Sequence, residues 1–321
     1  MRFRRFAWSV LGVNLFVILW GAFVRASGSG AGCGRHWPLC NGQLVPSAPA
    51  AATLIELTHR ITSGVALVLV AVLFWWARRD FPPGHPARRW AGWSLAFVCS
   101  EALVGAGLVL LALVGADDSL ARAGYLAVHL LNTFLLLGSL ALTAHWASGA
   151  PERTAGAGAP GWLLGTGLLL LLLVGMSGAV TALGDTLFPA LSLREGFRAD
   201  ASPTAHILIR LRVLHPAIAG LTGGYLCAAV WWGSRAEGLS GWGRAVIVLV
   251  LVQLAIGVTN LLLLAPTALQ LGHLFTADLL WIATVGFSAT SRGAAPRAAR
   301  VSAAAGRGEA AAGDPVQAPG R

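Results

Sequence analysis

Eight apolar stretches divide this chain, at roughly 7–24, 56–77, 91–113, 124–146, 161–181, 207–232, 243–265 and 268–290. Each has about the 20 residues that an α-helix needs to cross the hydrocarbon core of a bilayer. A bilayer offers no water to backbone N–H and C=O groups, so each stretch is expected to satisfy them internally, as a helix. The expected fold class is therefore an all-α polytopic membrane protein with eight transmembrane helices. Charge agrees with this, since 11% of the residues are charged, against about 25% in a soluble domain. The net charge of +10 comes from 23 basic residues, all arginine. They stand at the ends of the apolar runs, as membrane topology requires. A nucleic-acid partner would need them grouped on a polar domain. The expected partner surface is lipid, and no nucleic acid.

Arginine also sets the orientation. Arg2, Arg4 and Arg5 precede the first run, and Arg78, Arg79, Arg88 and Arg89 flank the loop after the second. Arg153, Arg235, Arg244 and the tail arginines fall on the same side, making 15 of the 23. Both termini are then cytoplasmic, and the long loops 25–55 and 182–206 face outward. "MRFRRF" with the apolar run after it also has the form of a signal peptide, but that run has a counterpart later in the chain. Residues 291–321 are rich in Ala, Gly, Arg and Pro without apolar periodicity, which predicts a disordered cytoplasmic tail.

The counterpart belongs to an internal repeat. "ELTHRITSGVALVLVAVLFWW" (56–76) matches "RVLHPAIAGLTGGYLCAAVWW" (212–232) at an offset of 156. Val24 and Gly28 pair with Val180 and Gly184 at the same offset. "EALVG" (101–105) matches "QLAIG" (253–257), and "VHLLN" (128–132) matches "GHLFT" (272–276). Two four-helix halves follow, 1–150 and 151–290, expected as pseudo-symmetric four-helix bundles. Four is even, so both insert the same way, as a parallel repeat about an axis along the membrane normal.

Four of the eight histidines, His36, His85, His145 and His206, fall in loops or at helix ends. The others, His59, His129, His215 and His273, each stand near the start of an even-numbered run. They are expected at one depth in the outer part of the membrane, two per half. Ionisable residues inside a membrane mark function by default. One such histidine is as well explained by a bond to a neighbouring carbonyl; four at matching places are not. Neutral imidazole ligates iron, copper and zinc. Zinc would want two more ligands per site, and the C-terminal half offers no Cys or carboxylate at that depth. Two histidines facing across a bundle suit the axial ligation of a haem. Small residues near them (Gly64, Gly105, Gly107, Gly220, Gly223, Gly224, Gly257) are expected to let helices bow around a large flat ligand.

The halves differ three residues before the first histidine, where one has Glu56 and the other Arg212. Three residues is nearly one turn, so each charge shares its histidine's face. Arg212 suits a haem propionate. Glu56 would repel one, and suits a proton acceptor or the stabilisation of a cationic intermediate; a salt bridge to Arg60, four residues on, is the plainer alternative. In "CGRHWPLCNGQLVP" (33–46), Cys33 and Cys40 can close a ring constrained by Pro38, as a structural clasp or as a redox pair. With His36 alone beside them they make a poor zinc set. Cys99 and Cys227 are read as small packing residues. Glu101 and Asp278 also fall within apolar runs, without an assigned role.

"GAFVRASGSGAGCGRHWPLCNGQLVP", "ELTHR" and the four placed histidines resemble the haem A synthase family, in its bacterial cysteine-containing type, over about 7–290. The resemblance implies a multi-pass plasma-membrane oxidoreductase that oxidises the C8 methyl of haem O to a formyl group by successive hydroxylations. It implies His59 and His129 as ligands of the substrate haem O, and His215 and His273 as ligands of a haem B cofactor. Glu56 would be the catalytic carboxylate, and Cys33 and Cys40 the outer-loop pair above the substrate pocket. Arg60 and Arg212 are the candidate charge partners of propionates. Hand-off from haem O synthase (protohaem farnesyltransferase) and a homo-oligomer are compatible with it. Loop 182–206 lacks the second cysteine pair found in some relatives. The alternative is a transmembrane dihaem b-type electron carrier, which usually places haems near both membrane faces. A transporter would need a polar midplane, and a thiol oxidoreductase would leave the histidines unexplained.

Overall fold

The computed structural model describes residues 1–149, 160–235 and 238–291. The described residues are mostly helical, with the longest loop between Ala26 and Ala51, and eight spans among them are long and apolar enough to cross a membrane. They are α1 (Arg2–Ala26), α2 (Ala51–Asp80), α3 (Pro86–Leu110), α4 (Leu120–Ala147), α5 (Gly161–Leu187), the continuous pair α7 (Ile207–Arg212) and α8 (Leu214–Gly233), α9 (Gly241–Leu262) and α10 (Thr267–Ser291). Each expected run lies on one of them. Arg153 and the expected disordered tail beyond Ser291 lie outside the described residues.

Local chemistry sets the ends. Ser119 caps α4 by accepting from the Arg122 N–H at 3.1 Å. Ser240 caps α9 by accepting from Gly243 at 3.1 Å. His85 caps α3 ahead of Pro86, at the first helical position where the missing N–H costs nothing. The sixth span breaks at Val213 because Pro216 has no N–H to give and its ring crowds the carbonyl four residues earlier, at Arg212. A short helix not expected from apolar runs, α6 (Leu193–Ala201), has no buried residue. Its signal is Ser192 with Glu195 three residues on. The Ser192 hydroxyl accepts from the Glu195 N–H, and Glu195 accepts from Leu191, a variant of the capping box.

The main hydrophobic core runs from Phe3 on α1 to Phe287 on α10, and a small second cluster joins Ala123, Leu183 and Leu208. α1 packs on α2 and α4, and α3 on both α2 and α4; α8 packs on α5 and α9, and α9 on α10. α4 and α10 meet at the centre, and α4 also packs on α5. Phe134 stacks on Trp281 with ring centroids 5.4 Å apart, and the Trp281 indole donates to the Phe134 carbonyl at 2.5 Å. A Cβ on Gly138 would come within 3.1 Å of that indole, so glycine is what lets Trp281 lie against α4. At the arginine-rich end, Arg235 lies over Trp231 and Trp232, 4.0 and 4.5 Å from the ring centres. That is the aromatic and cationic belt of a membrane interface. Cys99, expected in the core, faces outward instead.

The loop after α1 is built on backbone contact. Cys33 and Cys40 form a disulfide and are fully buried. A Cβ on Gly32 would sit 2.5 Å from the Ala52 carbonyl, so only glycine lets the loop lie on the start of α2. Thr53 fastens it by donating to the Gly32 carbonyl at 2.8 Å.

Candidate functional site: the histidine layer

Glu56 is buried, and both its oxygens are engaged. One accepts from the Cys33 N–H at 2.8 Å. The other accepts from Arg60 Nε at 3.1 Å and Nη2 at 2.5 Å. Arg60 Nη1 donates to the carbonyls of His36 and Leu39, each at 2.5 Å. The Arg60 salt bridge expected as the plainer reading is therefore present, and it ties the disulfide loop to α2 one turn from His59. Arg212 pairs with Asp200 at 2.5 Å and with Asp185 at 3.2 Å.

His215 and His273 meet as a pair. The His215 and His273 rings lie 6.3 Å apart, at 86° to one another. Two metal–imidazole bonds of ~2 Å, with roughly 1 Å from each ring centre to its nitrogen, give a spacing of about 6 Å. His59 on α2 and His129 on α4 stand on helices that both pack against α1 and α3. Three of these rings lie against glycine on a neighbouring helix. An added Cβ would come within 2.8 Å of His59 at Gly21, 3.0 Å of His215 at Gly178 and 3.1 Å of His273 at Gly257. Of the glycines singled out in the sequence, Gly257 alone does this. Gly107 faces Tyr125, and Gly223 faces Val250 and Leu254. Gly64, Gly105, Gly220 and Gly224 have open space where a side chain would be.

Each pair has orienting neighbours. The Ser177 hydroxyl lies 3.0 Å from His215 Nδ1. The position 156 residues earlier is Gly21, so His59 has no such partner. Gln253 lies 3.2 Å from His273 Nε2, and Glu101 lies 3.4 Å from His129 Nδ1. Glu101 and Gln253 are the first residues of the matched "EALVG" and "QLAIG", a signal legible in the sequence. Glu101 is itself held by Thr133 at 2.5 Å and by Asn132. Metal-bound histidines typically give their second ring nitrogen to such a partner.

Nδ1 of His59, His129 and His273 is buried without a hydrogen-bond partner, Glu101 standing 3.4 Å from His129 Nδ1 without bonding it, a costly condition in an apolar interior. Among the described residues no three His, Cys, Asp or Glu side chains converge as a metal set. Paired imidazoles without further donors fit haem iron, which takes two axial ligands, better than zinc, which takes four. Asp278 is fully buried on α10 with neither oxygen bonded, and joins neither pair.

The family model described as cytochrome oxidase assembly protein, COX15-CtaA, matches residues 4–285. A Thermus thermophilus protein named protoheme IX farnesyltransferase is 50% identical over 297 residues, covering 90% of this chain and 48% of that protein. Heme A synthases of Geobacillus kaustophilus and Bacillus cereus are 44% identical over 96 residues, 30% of this chain and 30% and 31% of theirs. This chain thus spans less than half the length of the Thermus relative. It belongs to the COX15-CtaA family of cytochrome oxidase assembly proteins.

Proposed function

We propose that this chain is a haem A synthase, which oxidises the C8 methyl of haem O to a formyl group by successive hydroxylations. One observation carries the reading: paired histidines stand in a membrane-spanning bundle with a buried carboxylate, Glu56, one turn from one of them. His59 and His129 hold the substrate haem O in the N-terminal half, 1–150. His215 and His273 hold haem B in the C-terminal half, 151–290. Bound there, haem B supplies one-electron transfer. Glu56 is the residue in reach to take the protons released as methyl C–H bonds are replaced by C–O bonds. Its bonds to Arg60 and to the Cys33 N–H hold the carboxylate in place one turn from His59. Loop 33–46, held on α2, excludes water from the pocket. The arginine distribution supports a plasma-membrane protein with both termini cytoplasmic.

The farnesyltransferase name belongs to a chain of which this one matches 48%. We take that name to describe the unmatched part. Prenyl diphosphate chemistry wants carboxylates gathered around Mg²⁺, and no such set converges among the described residues. Prenylation of protohaem yields haem O, so the relative supports a functional link between the two steps and a haem O synthase as the donor partner.

Expression beside a haem O synthase, followed by haem extraction and chromatography, tests the proposal. Haem A, or a hydroxylated intermediate, is the expected product. Absence of both, with haem B still bound, overturns it in favour of a dihaem electron carrier.

A further inference from the structure

Resting on the assignment of His59 and His129 to the substrate, we propose that these two ligands are unequal: His59 is the releasable one, and its departure opens an iron position beside Glu56 while His129 keeps hold. The C-terminal half shows the contrast. The Ser177 hydroxyl lies 3.0 Å from His215 Nδ1 and gives its own proton to the Val174 carbonyl at 2.9 Å. It therefore accepts from His215 Nδ1–H, which fixes the tautomer and leaves Nε2 for a metal. At the matched place in the N-terminal half stands Gly21. It has no side chain to offer, and the His59 ring fills the space, where a Cβ would come 2.8 Å from Cε1 and 3.0 Å from Nε2. His59 Nδ1 is buried without a partner among the described residues.

His129 has what His59 lacks. Glu101 stands 3.4 Å from its Nδ1, just beyond a hydrogen bond, and that carboxylate is itself fixed from α4. Thr133 donates to one of its oxygens at 2.5 Å and Asn132 to the other. Asn132 also donates to the Phe97 carbonyl at 2.9 Å and accepts from the Ser100 hydroxyl at 2.6 Å. The matched segments, extended by one residue, put Gln253, Ala277, Thr276 and Val252 in the places of Glu101, Thr133, Asn132 and Ser100. The carboxylate cluster therefore belongs to one half. A carboxylate facing the second ring nitrogen strengthens an imidazole as a donor. Of two ligands on one iron, the weaker and unheld one leaves first.

The consequence is positional. Glu56 and His59 share a face of α2, three residues apart, a step of ~4.5 Å along the helix. A coordination position vacated by His59 is on the Glu56 side of the porphyrin, and a small ligand entering it comes within reach of that carboxylate. The His215 and His273 rings each have a polar side chain within 3.2 Å, and that pair stays closed. One half is thus built to open at the iron and the other to stay six-coordinate.

The experiment loads the purified full chain, carrying its resident haem B, with haem O, reduces it with dithionite in the absence of oxygen, and adds carbon monoxide. The iron–imidazole bond breaks, an iron–CO bond forms, and no electron changes hands. The Soret difference spectrum should show CO on the added haem O and none on protein carrying haem B alone. His59→Ala should keep haem O and raise its CO affinity by roughly tenfold or more, because the open form is no longer a minor population. His129→Ala should lose haem O. In the five-coordinate ferrous haem O of His59→Ala, resonance Raman reads the iron–histidine stretch, and adding Glu101→Gln should lower its frequency. Bound haem O that takes no CO in the wild type, which needs no variant, overturns the proposal. So does loss of haem O from His59→Ala, or an iron–histidine stretch that Glu101→Gln leaves unmoved. Haem O uptake unchanged in both histidine variants instead refutes the assignment of the substrate to these residues, whatever CO does.

Discussion

The Glu56 carboxylate accepts the Cys33 backbone N–H at 2.8 Å, so the residue beside His59 also fastens the outer loop. Two roles meet on one side chain, and substitutions separate them. Glu56→Ala leaves Arg60 without its partner in a buried place, which costs about 3 kcal/mol. Glu56→Gln keeps the shape and loses the charge. Both variants should retain bound haem and form no haem A. Both should melt at a lower temperature, because the Gln amide NH2 cannot accept as the second oxygen does, and Glu56→Ala should show the larger drop and the faster proteolysis within 33–46. Unchanged turnover in Glu56→Gln removes the carboxylate from the mechanism.

The eight spans were legible because apolar length alone dictates them, and the histidines because four polar residues at matched places in apolar runs demand an explanation. The break at Val213 was present in Pro216, four residues past the last carbonyl of α7, and needed only helix geometry to find. Gly21 and Gly178 were not legible. A glycine in a helix does not name the ring that leans on it, and that ring comes from α2 in one case and α8 in the other. The partnership of Glu101 with His129 lay between the two: the repeat matched Glu101 to Gln253, but only the packing of α3 on α4 and of α9 on α10 showed what the two residues face.

Cys33–Cys40 closes a short loop, with a sequence separation of 7. Closing so few residues stabilises by roughly 2–3 kcal/mol through loss of chain entropy in the unfolded state. Glu56, Arg60 and Thr53 also hold the loop. The Cys33→Ser/Cys40→Ser double variant should therefore keep turnover while melting at lower temperature, by calorimetry or thermal scanning. Lost turnover with the loop still protected from protease would mean that the disulfide itself cycles during catalysis.

Gly21→Ala and Gly178→Ala address the two histidine pairs separately. Each adds a Cβ within about 3 Å of one ring, 2.8 Å for His59 and 3.0 Å for His215. The ring has to turn or the helices have to part. Gly178→Ala should lower the haem B content of the purified protein, as should His215→Ala. Gly21→Ala should leave haem B in place and weaken haem O binding. Extraction and chromatography read the first effect, and Soret titration reads the second. Haem B content unchanged in both Gly178→Ala and His215→Ala refutes the assignment of haem B to the C-terminal half.

Glu101 and Gln253 occupy matched positions beside a histidine in each half, one a carboxylate and one an amide. A carboxylate facing the second ring nitrogen makes the imidazole a stronger donor, and a stronger donor favours the ferric state. Gln253→Glu should therefore lower the midpoint potential of haem B, and Glu101→Gln should raise that of a haem held by His129. Potentiometric titration followed in the visible bands measures both. The signs are opposite by construction, so a general loosening of the bundle cannot imitate the result. Shifts of the same sign in the two variants would show that neither side chain acts through its histidine.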